Sequence, residues 1–375
     1  MEEAMAPDNR TALSVLVVGS GVSGLAAASF LQRSGHQTLV VEKRPGLPRD
    51  GLALNLPGNA VRCLTALGRE DIVHAGAPVR RREYRAREGR LLFAVDEDET
   101  WRGVATSIAL RHDRLIEMLA RDLDVRFECA LTALSSDPRP VAQLSDGTSE
   151  AFDLVVGADG VGSWVRGTMG EATRVPSAMT ASAWRFVTRN PGVRSWTAWT
   201  GGGLVLLAIP LPGDELYVYL ARTRGGHVGT TMDWVESVLP DFSGAPRELA
   251  ALLADPGTRR HRGPVDEVDC ERWGSGGVAI IGDAAHATGP VWAQGAGMGL
   301  EDGWVLAQEL DAGPGVEEAL RRWEDRRRPR VRHVREVTDR MSRLARVPAL
   351  VQRITLPLMG PRGFRDAYVP LRPTP

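Results

Sequence analysis

Lysine is almost missing from this sequence. Of 46 basic residues only Lys43 is a lysine, and the rest are arginine. A GC-rich coding bias accounts for the arginines, yet any lysine-dependent mechanism is left with one candidate. Cysteine is scarce as well: Cys63, Cys129 and Cys270 are odd in number and far apart, which excludes a disulfide framework and a CxxC metal pair. The seven histidines show no HExxH or paired-ligand spacing, so no metal site is expected. No GxSxG elbow is present, which removes the commonest hydrolase reading. No apolar run approaches the roughly 18 residues of a membrane span. The polar, acidic start Met1 to Arg10 predicts no leader segment. Net charge is also near zero, at −1, whereas a general binder of nucleic acid would be distinctly basic. A soluble, cytoplasmic protein without a nucleic-acid partner is the expectation.

What is present is apolar sequence and glycine. The chain has 375 residues, 43% of them hydrophobic, with 41 glycines. That length predicts two domains and a C-terminal appendage. Residues 13–18 form a short apolar run ended by glycine, as a buried parallel strand does. A helix follows over 22–34, closed by Gly35, and then a second strand over 38–42. This is a βαβ unit. A helix is expected over 111–123 and a buried strand over 153–158. From about 175 to 225 the pattern becomes short β-type runs (183–188, 204–209, 216–221) separated by glycine and proline. These predict an inserted, mainly antiparallel sheet. A strand at 278–281 and a helix near 296–311 return to the first domain, and an arginine-rich helix spans about 315–346. The arginines from Arg80 to Arg90 and the acidic run Asp96 to Glu99 predict a solvated hairpin with cross-strand charge pairs. The arginines of 321–346 read as a solvated helical face with i,i+4 pairs, a membrane or nucleic-acid surface being the alternative.

Three motifs carry chemistry. The first is GSGVSG over residues 19–24, between the strand and the helix. Gly19 permits a tight turn, Gly21 lets a pyrophosphate approach the main chain, and Gly24 allows close helix–strand packing. Glu42, 18 residues beyond Gly24, ends the next strand where a carboxylate accepts from ribose hydroxyls. A dinucleotide is indicated, FAD and NAD alike. The second is GADG over 157–160, at the end of a buried strand. In the third, a strand ends at Gly282 and Asp283, and a Pro/Gly-rich segment opens a helix near Gly295. Asp283 can accept from sugar-alcohol hydroxyls, and the helix start can present N–H groups to a ring carbonyl.

Together and in this order, the three motifs resemble the class A, single-component FAD-dependent aromatic monooxygenases of the p-hydroxybenzoate-hydroxylase type. Lesser similarities lie at Arg111–Leu115, at Ala183–Val187, and in the Trp323–Pro329 stretch. The resemblance implies an α/β fold: a Rossmann-like FAD-binding domain, an inserted, mainly antiparallel β-sheet substrate domain, and a C-terminal helical segment. The expected FAD domain takes residues 1–75, 100–174 and 273–312. The substrate domain would take 76–99 and 175–272, and the helical segment 313–375.

The resemblance also implies roles. Gly19, Ser20, Gly21, Val22, Ser23 and Gly24 would cradle FAD, with Glu42 on the ribose and Lys43 and Arg44 flanking the adenine. Gly51 would pass close to the ring, while Arg111 would reach the pyrophosphate or ribityl side. Asp159 would serve both FAD and NADPH, and Asp283 would bind the ribityl chain. Pro290 would face the ring, with Gly295, Ala296 and Gly297 on its pyrimidine side. The implied reaction uses NADPH or NADH and O2, through a C4a-hydroperoxyflavin, to hydroxylate or epoxidise a small, mostly apolar, aromatic or polyketide-like metabolite. The flavin carries the chemistry, so no catalytic side chain is assigned.

Trp184, Arg185, Trp199 and Trp292 are the substrate-pocket candidates, with Arg222 and His227 behind them. Trp184 and Arg185 are strand neighbours, so only one of them can face the flavin. His286 reads as a packed histidine. The chain departs from the family at Ala293, where glycine is usual, at Gly297, where asparagine is usual, and at Phe186, which replaces a glycine. A flavin dehydrogenase or reductase on the same fold is the alternative, as is a non-catalytic flavin-binding module. A flavin halogenase is disfavoured because Lys43 lies at the adenosine end.

Overall fold

A computed structural model describes residues 12–49, 52–136, 138–171, 174–223, 227–313, 315–345, 347 and 349–375. Val15, Leu16 and Val17 alternate between two faces of a strand yet are all apolar, which requires cover on both sides. Ser14–Val18 is accordingly central, parallel to Gln37–Val41 on one side and to Leu154–Gly157 on the other. Val125–Arg126 extends the sheet beyond Gln37–Val41. Val278–Ile280 extends it beyond Leu154–Gly157, with Gly274–Ser275 as an antiparallel edge. The helix Val22–Arg33 buries Ala26, Ala27 and Ala28, and these small side chains let the helix Gly295–Ala312 come close. A Cβ on Gly303 would lie 2.7 Å from the Ala27 Cα, so that crossing needs glycine.

The second large sheet has seven strands in the order Arg259–Pro264, Ser182–Arg189, Glu215–Arg222, Leu204–Pro210, Trp196–Gly201, Arg81–Ala86 and Leu91–Asp96. All neighbours are antiparallel except Trp196–Gly201 with Arg81–Ala86. The period of two sorts side chains cleanly. Trp184, Phe186, Leu206 and Val218 face outward and pack beneath Val235, Leu249 and Leu253. Ala183, Val187, Tyr217 and Tyr219 face inward, toward Leu52, Ala53, Val79 and Ala109. Three of those four lie on a small antiparallel sheet, Ala53–Leu56, Ser107–Arg111 and Ala77–Val79.

Two charge expectations need correction. The hairpin Arg81–Ala86 and Leu91–Asp96 forms, and Arg80 pairs with Asp98 on its surface. Arg82 and Glu97, however, are wholly buried as an ion pair at 2.6 Å, not solvated. The Arg82 guanidinium lies 5.2 Å from the Trp196 ring centroid and 5.6 Å from that of Phe364, a cage that compensates part of its lost hydration. The arginine-rich helix Val316–Leu344 is likewise not solvated all round. Arg327 and Arg330, one turn apart, are buried against Glu301 and Asp302 of Gly295–Ala312. A further helix, Ala349–Tyr368, forms in spite of Pro357 and Pro361, and its last turn packs Phe364 and Tyr368 into the core.

Candidate functional site

The glycine turn is a main-chain cradle. Gly19 has φ +108° and its N–H donates to the Val41 carbonyl at 2.8 Å. A Cβ there would meet the Ala158 carbonyl oxygen at 2.6 Å, and one on Gly24 would meet the Gly19 oxygen at 2.1 Å. Both positions therefore demand glycine for packing. Gly21 differs, since no atom lies within 4 Å of its missing side chain. It caps the helix Val22–Arg33 without any side-chain acceptor, so the first-turn N–H groups from Val22 to Gly24 have none from the cap residue. That is the donor set and partial positive charge that a pyrophosphate requires. Glu42, nearly buried, accepts from the Ser20 N–H at 3.1 Å, the Ser20 hydroxyl at 2.8 Å and the Arg44 N–H at 3.0 Å. A carboxylate has four lone-pair sites, so one remains for a ribose hydroxyl. These residues fit FAD. Lys43 and Arg44 are exposed beside them.

The second and third motifs close on this turn. One oxygen of Asp159 caps the short helix Trp164–Thr168, accepting from the Trp164 N–H at 2.7 Å. Its other oxygen is buried without a partner among the described residues, as a group awaiting a ligand donor would be. Arg166, which sequence reading left unassigned, donates to the carbonyls of Ala284 at 2.9 Å and Val161 at 2.7 Å. It thereby ties the second motif to the third. Ser23 lies where Cβ atoms on Gly282 and Gly299 would come within 2.2 and 2.0 Å of its hydroxyl, so all three motifs interlock at glycines. Asp283 is open to solvent within a cleft whose enclosing protein raises its carboxyl above the ordinary range by desolvation. A Cβ on Gly295 would lie 3.9 Å from that carboxylate. Gly295, Ala296 and Gly297 open the long helix, and Gln294 leaves their N–H groups uncapped.

A charged network holds this cleft from behind. Asp302 accepts from the Gly282 N–H at 2.9 Å and from Arg327 Nε at 2.8 Å, and it pairs with His286 Nε2 at 2.7 Å. Burial pushes the Asp302 carboxyl up, but His286 and Arg327 outweigh this and hold it well below the usual range. His286 is thus a packed, paired histidine. Glu301 receives Arg327, Arg330 and Asn59. Asn59 also explains one departure: its amide would lie 3.1 Å from a Cβ on Gly297, so it fills the space an asparagine side chain at 297 would need. Ala293 explains another. Its φ is +63°, the left-handed region where glycine is the unstrained residue.

The structure does not gather the substrate-pocket candidates into one cavity. Trp184 and Trp199 lie in the outer core, with their indole N–H groups donating to Gly229 at 2.8 Å and Gly244 at 3.1 Å. Phe186 packs there too, stacked on Trp184 at 5.8 Å, so it does not intrude on the inner face. Trp292 is buried in the C-terminal packing, donating to Thr338 at 3.2 Å and meeting Tyr368 edge-on at 5.1 Å. Arg222 and His227 are exposed, Arg222 lying over the Trp234 ring.

Arg185 alone of the four faces inward. It is half-buried, 5.9 Å from the Tyr219 ring centroid, and has no carboxylate partner among the described residues. The Tyr219 hydroxyl and the Trp196 Nε1 are buried on the same wall without hydrogen-bond partners among the described residues. Sequence reading missed both. A two-residue alternation of aromatics in Tyr217 and Tyr219 was the available signal.

Arg111 is engaged by two carboxylates. Its guanidinium grips Asp113 and also reaches Glu215 at 3.1 Å, joining the small sheet to the large one. Asp113 and Glu215 hold it above its ordinary pKa against the cost of desolvation. Pro290 is exposed at the cleft, and Gly51 lies outside the described residues.

Residues 12–227 and 249–338 match the family described as FAD binding domain. A 3-amino-4-hydroxybenzoate 2-monooxygenase from Streptomyces platensis is 31% identical over 359 residues, covering 85% of this chain and 85% of its own. A 3-hydroxybenzoate 6-hydroxylase from Polaromonas naphthalenivorans is 31% identical over 324 residues, covering 81% and 80%. Among solved structures, Klebsiella pneumoniae HpxO complexed with FAD and uric acid aligns with a TM-score of 0.82 at 25% identity, covering 94% of this chain and 93% of that one.

Proposed function

The chain belongs to the FAD-binding-domain family and is an FAD-dependent monooxygenase of class A, and we propose that it oxygenates a small, largely apolar aromatic molecule with NADPH or NADH as reductant. The observation that carries the substrate reading is the inner wall of the seven-stranded sheet. It is apolar through Ala183, Val187 and Ala198, but among the described residues it holds one guanidinium with no carboxylate partner, Arg185, which reaches the Tyr217 hydroxyl, and one hydroxyl without a partner, Tyr219. An apolar wall with a few convergent polar groups selects a flat molecule carrying one or two polar substituents. The relatives named above act on hydroxybenzoates and support that class.

Bound FAD would supply the redox chemistry between the nicotinamide and O2. The overall balance is substrate, O2, NAD(P)H and a proton giving hydroxylated substrate, NAD(P)+ and water. The chain binds, orients and shields. Gly19 to Gly24 would hold the pyrophosphate, Glu42 the ribose, and Asp283 the ribityl chain. The N–H groups of Gly295, Ala296 and Gly297 would meet the pyrimidine edge, and Asp159 offers its free oxygen to the cofactors. Arg185 would fix an anionic or carbonyl substituent, with the Tyr219 hydroxyl completing its hydrogen bonds. The aromatic wall keeps water from the reacting carbon. On this reading residues 1–75, 100–174 and 273–312 form the FAD domain, and 76–99 with 175–272 form the substrate domain. The three buried free thiols agree with a cytoplasmic enzyme.

The test is anaerobic reduction of the FAD-loaded enzyme by NADPH or NADH, followed by isotope-labelled O2 and a panel of hydroxybenzoates and hydroxyquinolines. The expected result is substrate-stimulated nicotinamide oxidation with one labelled oxygen in the product. Nicotinamide consumption that yields only hydrogen peroxide across the panel would overturn the reading. A product with a saturated double bond and no label would assign the chain to the reductases.

A further inference from the structure

The helix Ala349–Tyr368 has an outward face of unusual composition. Its inward side carries Gly360 against the Phe93 ring, and Phe364 and Tyr368 stacked at 4.7 Å, with Phe364 edge-on to Tyr84. Opposite these, where a helix on a globular surface is normally polar, stand Val351, Ile354, Leu358 and Met359. They are 44%, 63%, 74% and 68% exposed, so none of them is covered by the described residues. The spacing of 351, 354 and 358 places three on one stripe with Met359 alongside. The same face continues in the next turns as Arg362 and Arg365, both exposed. From residue 340 onward the chain carries Arg340, Arg343, Arg346, Arg353, Arg362, Arg365 and Arg372 against a single acid, Asp366.

We propose that this face docks on an anionic lipid surface, with the helix lying in the plane of the membrane interface. An apolar stripe fringed by arginines matches such a surface on both counts, apolar side chains toward the acyl boundary and guanidinium groups toward the headgroups. Among the described residues no helix is long and apolar enough to cross a membrane, so the helix lies on the bilayer and does not span it. A second copy of the chain fits less well. Four side chains fall short of the ~800 Å² per partner that a stable interface buries. A symmetric pairing would also bring arginine against arginine. The inward side of the helix ends in Phe364 and Tyr368, and both lie over Arg82, whose guanidinium also faces Trp196 of the inner wall. The docked face is therefore linked to the substrate wall through Arg82 and Trp196, an arrangement suited to an apolar substrate dissolved in lipid.

The experiment is flotation of the full-length, FAD-loaded enzyme with vesicles of phosphatidylcholine, with and without phosphatidylglycerol. The wild type should float with the anionic vesicles, about tenfold less with neutral ones, and less again at high salt. Ile354→Glu with Leu358→Glu should abolish flotation while leaving thermal unfolding and nicotinamide oxidation in free solution unchanged. Arg362→Glu with Arg365→Glu tests the fringe without touching the stripe and should weaken flotation by at least about 30-fold. A wild type that does not float, or variants that float equally, would overturn the proposal. A concentration-dependent dimer that Leu358→Glu dissolves would give the stripe to a second copy and overturn it as well. Neither result bears on the oxygenation reading, which is measured in free solution.

Discussion

The dinucleotide cleft and the inner wall of the seven-stranded sheet both enclose the proposed chemistry, but the chain builds them by different means. In the cleft the working groups are main-chain N–H donors at helix starts, and glycines sit where a Cβ would strike backbone 2.1 to 2.6 Å away. The spacing of glycines along the sequence is itself the geometry. On the inner wall the working groups are side chains from strands far apart in sequence, such as Arg185 on Ser182–Arg189 and Tyr219 on Glu215–Arg222. No local spacing records which of them meet. The lesson is that a main-chain site is legible from one segment, whereas a side-chain site becomes legible once strand order and cover are known.

Trp184 and Arg185 show the point on two adjacent residues. Alternation requires that they face opposite ways, and nothing within the strand says which way is in. The answer comes from Met232–Val238 and Leu249–Ala254, helices some 45 to 70 residues downstream, that cover the Trp184 face. The charged residues teach the same thing. Arg82 and Arg327 look like surface residues in any local window. They are buried because Glu97 and the Glu301–Asp302 pair are placed opposite them by tertiary packing. By contrast, Gly282 and Gly299 were required by a contact with Ser23, and the motifs carrying them stood out in the sequence. The helix Ala349–Tyr368 falls inside the helical segment expected over 313–375, although its bounds were not legible, because Pro357 and Pro361 lack the N–H that a helix interior uses.

The largest effect should come from filling the open side of the cradle. Gly21 has extended backbone and free space where its side chain would be, so Gly21→Val leaves the fold intact. The valine would occupy the approach of the pyrophosphate, and FAD affinity should fall by at least about 100-fold, the loss of two charge-assisted hydrogen bonds. Flavin fluorescence titration measures this, with a thermal melt as control. Retained flavin would break the assignment of the cradle and erase the contrast between the two regions.

A pair of substitutions on neighbouring residues tests the wall. Arg185→Ala should keep flavin bound but lower kcat/KM about 100-fold, which is ~2.7 kcal/mol for one charge-assisted contact to substrate. Trp184→Phe, on the opposite face, should leave kcat/KM within about threefold and cost ~1 kcal/mol of stability through the lost bond to Gly229. If Trp184→Phe struck turnover as hard as Arg185→Ala, the wall would be on the other side of the sheet.

The smallest effect sharpens the comparison from within the cleft. If main-chain geometry is what the cleft fixes, then a residue unsuited to that geometry should carry measurable strain there. Ala293, at φ +63° in the segment between Asp283 and Gly295, is such a residue. A left-handed alanine costs about 1–2 kcal/mol relative to glycine. Glycine would in turn lose about 0.4–1 kcal/mol through the greater freedom of the unfolded chain. The difference favours Ala293→Gly by about 0.5–1 kcal/mol, a rise of one or two degrees in Tm for a chain of this size. Differential scanning calorimetry of the FAD-loaded protein resolves that. A fall in Tm would mean that the Ala293 methyl packs well enough to outweigh its backbone strain. The departure from glycine would then be a side-chain feature inside a main-chain site, and the division between the two regions would be less sharp than their contacts indicate.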